Sequence, residues 1–151
     1  MMEIAMSDVT LTTARRGPVW LIAIALGGIG WNLFGAVQFA GSVTATAESL
    51  VLSGLTPEQA AVMTGYPVWM TLAFAVGVFG GLAGSGLMLL RMAAARAVLA
   101  VSLVAYVALW VGDAVHGVFA AMGTSQVVVL TVVVAIAAAL YAASRHPAAR
   151  A

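Results

Sequence analysis

Asp113 and His116 are the two residues of this chain whose types and spacing most readily suggest chemistry. Three positions apart on a helix, a carboxylate and an imidazole share a face, where they could bind a cation or relay a proton. As metal ligands they are too few, because a structural zinc site takes about four and no pattern holds Glu58 beside them. No metal or cofactor is expected. An ionisable side chain inside an apolar stretch costs roughly 2.5–3.5 kcal/mol on insertion scales, so it marks a candidate functional site. A structural hydrogen bond between helices is the competing reading. Asn32 offers a polar partner at similar depth, about 21 Å beyond Pro18, against about 24 Å from Ala97 to Asp113 at helical rise. Gly28, Asn32 and Gly35 share one face, and Ser102, Tyr106 and Trp110 extend the face of Asp113. These phases predict a polar pocket bordered by Asn32, Gln38, Asp113 and His116.

The elements that carry these residues are membrane spans. Hydrophobic residues make up 64% of the 151 positions and charged residues 7%, against about 25% charged in soluble domains. Mean hydropathy is +1.11. Such a chain has too few charges to wet a surface, so its expected partner is the lipid bilayer. A span needs roughly 20 apolar residues, and the length accommodates four, giving an all-α integral membrane four-helix bundle as the expected fold. The expected spans are about 18–40, 67–90, 97–119 and 127–143, forming one membrane domain over 18–144. They are flanked by cytoplasmic tails at 1–17 and 145–151. The periplasmic connection 41–66 contains Thr56-Pro57-Glu58-Gln59, a capping box with proline at the first helical position. It predicts a short helix near 57–64. The apolar run after Arg15-Arg16 is too long for a signal-peptide core and reads as a retained span.

Six arginines and no lysine set the orientation. Arg15 and Arg16 precede the first span, Arg91 and Arg96 lie between the second and third, and Arg145 and Arg150 follow the fourth. Four crossings put all six on one face, which the positive-inside rule assigns to the cytoplasm together with both termini. Trp20 and Tyr141 then fall at the inner interface, Tyr66 and Trp69 at the outer. The separated arginine pairs form no phosphate-binding patch, and no nucleic-acid partner is expected. The absence of cysteine removes thiolate catalysis and cysteine-ligated clusters. With no nucleophile motif or metal cluster, the chain is not expected to be an enzyme. In the second span Gly77/Gly81, Gly80/Gly84 and Gly81/Ser85 form small-xxx-small pairs. Such faces let helices approach closely, either within the chain or in a homo-oligomer.

One series of short motifs carries a resemblance. Trp31-Asn32-Leu33-Phe34-Gly35, Gln38-Phe39, Thr56-Pro57-Glu58-Gln59, Tyr66-Pro67-Val68-Trp69, Gly77-Val78-Phe79-Gly80-Gly81 and Leu89-Leu90-Arg91 occur in order. Over roughly residues 20–100 the chain resembles a family of small bacterial inner-membrane proteins with four predicted helices, often labelled "sugar transporter". The resemblance implies the same fold and a place in the bacterial inner (cytoplasmic) membrane. The family often has an acid where this chain has Gln38, and Asp113-x-x-His116 matches no motif of it. Two functions compete. One is a small-solute transporter acting as an oligomer, suggested by that label and by Asp113 with His116. The other is a non-catalytic accessory or assembly subunit with a membrane-protein partner, suggested by the glycine-rich span and the small polar inventory.

Overall fold

The computed structural model describes residues 18–149. The expected tail 1–17, with Arg15 and Arg16, lies outside the described residues, as do Arg150 and Ala151. The described chain is all-helical. Long helices run over α1 (Val19–Thr44), α4 (Val68–Leu89), α5 (Ala95–Val115) and α7 (Thr124–Ser144). Short ones occupy α2 (Ala47–Leu52), α3 (Pro57–Thr64) and α6 (Val118–Met122). All four long helices are long and apolar enough to cross a membrane. A helix of 21 residues is about 31 Å long, matching a hydrocarbon core of about 30 Å.

What faces outward shows which solvent suits this bundle. Val37, Val101, Val104 and Val128 are among the many exposed aliphatic side chains, while Asn32, Ser85, Ser102 and Asp113 are buried. Apolar surface around a partly polar interior is the arrangement expected in lipid, where polar groups must find partners inside the protein. The chain is a multi-span membrane protein.

Boundaries depart from the hydropathy reading at three places, one of them the start of α7, which takes in Thr124, Ser125 and Gln126 ahead of the expected 127. The first helix runs on to Thr44 because Ser42 and Thr44 donate their hydroxyls to the carbonyls of Phe39 and Ala40, each at 2.8 Å. Polar residues that satisfy themselves against their own helix do not end it. The third long helix stops at Val115, not near 119, because Gly117 adopts a left-handed φ of 76°, a conformation open to glycine at little cost. The chain then turns into α6. In the long connection, Thr56 and Gln59 form the expected capping box on α3. An unforeseen second box, Thr46 with Ser49, starts α2.

Helix α4 packs most extensively against α5 and α1, and α7 against α5. Its glycines make this possible. A Cβ on Gly77 would meet the Tyr106 ring at 2.8 Å, one on Gly84 the Leu99 side chain at 2.6 Å, and one on Gly80 the Ser102 Cβ at 3.2 Å. Gly81 lies against the Asn32 side chain of α1. The stripe Gly77, Gly80, Gly81 and Gly84 is therefore filled by this chain's own helices. In contrast, α1 and α7 meet little. Their contact is concentrated at the arginine-bearing end, where Leu21, Ala25, Leu99 and Leu140 form one apolar cluster and Gly28 sits under Leu140. Arg91 donates to the Ala148 carbonyl at 3.0 Å there.

Candidate functional site

Asp113 sits 18 residues into α5, about 27 Å along it, two residues before the helix ends. It is 1% exposed. Both carboxylate oxygens accept bonds from neutral donors: Tyr66 Oη donates to Oδ1 at 3.1 Å and Gln126 Nε2 to Oδ2 at 3.0 Å. Each donor is placed by its own element. Tyr66 lies in the Gly65-Tyr66-Pro67 joint between α3 and α4. Gln126 occupies the first turn of α7, behind the left-handed Gly123. Burial, and next the neighbouring carboxylate, raise the Tyr66 phenol well above its usual range. It therefore remains a donor throughout the physiological range. A carboxylate has about four acceptor sites, so these two bonds leave capacity for a third partner.

Asp113 lines a cavity of about 250 Å³. Asp113, Tyr66, Tyr106, Gln126, Gln38 and Ser42 are its polar lining, while Trp31, Phe74, Leu109 and Val133 supply apolar walls. Among the described residues no basic side chain lines it. Gln38, Ser42, Met63, Tyr66 and Phe74 also line a second cavity of about 570 Å³, which reaches Leu50 and Thr64 in the loop region. The two share a wall at the end of the bundle remote from Arg91 and Arg145. Helix α3 covers this end, with Gln59 Nε2 donating to the Ala121 carbonyl of the α6 segment at 3.0 Å.

Comparison with protein-family models, curated proteins and solved structures finds no match. The site is thus read from its own geometry.

The four residues expected around one pocket separate in the structure. Asp113 and Gln38 line the cavity. Asn32 lies below its floor: its Nδ2 donates to the Gly28 carbonyl at 2.8 Å, and its Oδ1 accepts from Tyr106 Oη at 3.3 Å. Tyr106, which does line the cavity, stands between them. His116 departs furthest from expectation. Because α5 ends before it, His116 is exposed and lies against Trp69, with ring centroids 5.9 Å apart. It is absent from the cavity wall. The expected polar-aromatic stripe also divides: Ser102 Oγ donates to the Gly77 carbonyl at 2.6 Å, and Trp110 Nε1 to Thr131 Oγ1 at 3.1 Å. These bonds tie α5 to α4 and to α7.

Tyr66 and Gln126 are the site residues that the sequence reading did not join to Asp113. A signal existed. By helical rise both stand within a turn of the same end of the bundle as Asp113, and polar groups at one depth in lipid seek one another.

Proposed function

We propose that this protein binds a small molecule bearing hydrogen-bond donors at Asp113, reached from the loop end, and takes part in its passage across the membrane. One observation carries the reading: a buried carboxylate, held among the described residues by two neutral donors, lines a cavity. Structural hydrogen bonding alone would account for the two donors but not for the space in front of them. An uncompensated carboxylate in that space supplies a strong acceptor for an N–H or O–H group, and the apolar walls supply contact area, a combination typical of ligand sites. The transport component draws on the resemblance to small inner-membrane proteins labelled "sugar transporter". On that basis we assign the chain to the bacterial inner membrane.

The arginine distribution supports an orientation with both termini cytoplasmic and the Asp113 end outside. Reporter fusions at the two ends test this, and opposite compartments for the two reporters would overturn it. At the arginine-bearing end the space between α1 and α7 is closed by Leu21, Ala25 and Leu140, so passage involves a rearrangement there or assembly of protomers. The glycine face of α4 is occupied within the chain, and an oligomer would form through other faces.

The binding reading is tested by a thermal-shift screen of amines, polyols and sugars on the protein in lipid nanodiscs. A ligand at 100 times its Kd stabilises a protein by about 2.7 kcal/mol. At least one compound is expected to raise the unfolding temperature of the wild type and to lose that effect in Asp113→Asn. If every stabilising compound acts equally on both proteins, Asp113 heads no ligand site.

A further inference from the structure

The cavity has a side opening as well as an end. The four long helices pack in the order α1, α4, α5, α7, and the ring is left incomplete where α7 should meet α1. At the arginine-bearing end Leu140 closes on Gly28. Toward the other end the cavity occupies the gap, with Trp31, Phe34 and Gln38 on the α1 side and Gln126, Val129 and Val133 on the α7 side. Three of these residues are also outward-facing: Gln38 is exposed, Phe34 is 58% exposed and Val129 57% exposed. Phe34 lies ten residues before the end of α1, about 15 Å deep, and Val129 five residues into α7, about 8 Å deep. These depths belong to the hydrocarbon of one leaflet. The side opening therefore faces lipid.

Polarity varies along the cavity in the same direction as in the leaflet outside it. Asp113, Tyr66, Gln126 and Ser42 lie at the end where headgroups are, while Leu109, Val133, Trp31 and Tyr106, whose hydroxyl is spent on Asn32, extend toward the bilayer centre. Among the described residues the carboxylate is the single formal charge on the lining. A volume of about 250 Å³ equals roughly eight water-sized groups at about 30 Å³ each. That is room for a compact head and the first carbons of a chain, so the remainder of a longer chain must leave through the gap.

We propose that the ligand of the Asp113 site is a single-chain cationic amphiphile. It enters sideways from the outer leaflet, places a primary ammonium head on Asp113, and lays its chain out between Phe34 and Val129. This rests on the reading that Asp113 heads a ligand site, and it names the ligand class and the route. A fully water-soluble solute would use the headgroup end of the cavity but neither the apolar walls nor the gap.

The test uses the full chain in phosphatidylcholine nanodiscs with dodecylamine carrying a diazirine near its head, followed by mapping of the photo-adducts by mass spectrometry. Adducts are expected on Leu109, Val133 and Phe34, competed by unlabelled dodecylamine but not by dodecanoate, butylamine or glucose. Asp113→Asn is expected to lower this labelling roughly tenfold, the factor set by one lost charge-assisted hydrogen bond. Val129→Trp, a change on an outward-facing position that fills the gap, is expected to do the same while leaving the fold intact. If butylamine or glucose competes as well as dodecylamine, and Asp113→Asn abolishes that competition, the ligand is water-soluble. The sideways route is then wrong, while the site reading stands. If labelling spreads over the lipid-facing surface and is unchanged in both variants, both readings fall.

Discussion

Gly81→Ala is the substitution whose cost follows most directly from the packing of α1 on α4. A Cβ at Gly81 would overlap the Asn32 amide, coming within 2.6 Å of its Cγ and 2.8 Å of Nδ2 and closer still to Oδ1. Asn32 cannot yield freely, because its amide is held at both ends, by the Gly28 carbonyl and by Tyr106 Oη. Overpacking a filled interior costs typically 1–3 kcal/mol, about the same as orphaning a buried polar group if the amide swings away. The better helix propensity of alanine returns about 1 kcal/mol. The expected net loss is about 0–2 kcal/mol, which is about 1–3 kcal/mol below a glycine-to-alanine change that meets nothing. Gly86→Ala is the internal control: nothing lies within 4 Å of its Cβ position, so only the propensity gain applies. Equilibrium unfolding in mixed micelles with dodecyl sulfate, followed by tryptophan fluorescence, compares the two. Pairing Gly81→Ala with Asn32→Ala is expected to restore part of the loss, since contacting residues couple by about 0.5–3 kcal/mol. Equal stability of Gly81→Ala and Gly86→Ala would refute the claim that α1 and α4 meet through Asn32 on Gly81.

Ser102→Ala removes the bond to the Gly77 carbonyl and is expected to destabilise by about 0.6 kcal/mol, the average for hydrogen bonds between membrane helices, and by no more than about 1.7 kcal/mol; the same unfolding assay reads it. Gln59→Ala breaks both the capping box of α3 and its tie to Ala121, at about 1–2 kcal/mol. Amide hydrogen exchange in 57–64 is expected to quicken by roughly tenfold while that of α4 stays unchanged. Tyr66→Phe leaves the ring but removes one donor from Asp113. It is expected to alter affinity for any stabilising ligand found by the thermal-shift screen, and unchanged affinity would separate Tyr66 from the site.

Hydropathy made the four long helices legible because membrane spans are set by a length and a solvent, both visible in the residues. It could not place their ends. Val115, Val118 and Phe119 are as apolar as the helix before them, so only the left-handed backbone at Gly117 marks where α5 stops. That one turn moved His116 off the face of Asp113 and onto Trp69. Depth counting brought Asn32 and Asp113 to similar levels but could not say that Tyr106 stands between Asn32 and the cavity. The partners of Asp113 come from 47 and 13 residues away in sequence. Pairings across helices depend on which helix neighbours which, and no local pattern encodes that. The glycine stripe was legible as a close-packing face, and the structure supplies the occupant: α1 at Gly81 and α5 at the other three positions.

A single cysteine introduced in turn at 113 and at 32, in a chain that has none of its own, tests the central claim most directly. The reagent is a small membrane-impermeant thiol label added from the loop side. Asp113→Cys is predicted to react faster than Asn32→Cys, because position 113 lines the cavity while position 32 lies beneath Tyr106. Equal inertness of the two cysteines would mean that no ligand can reach Asp113.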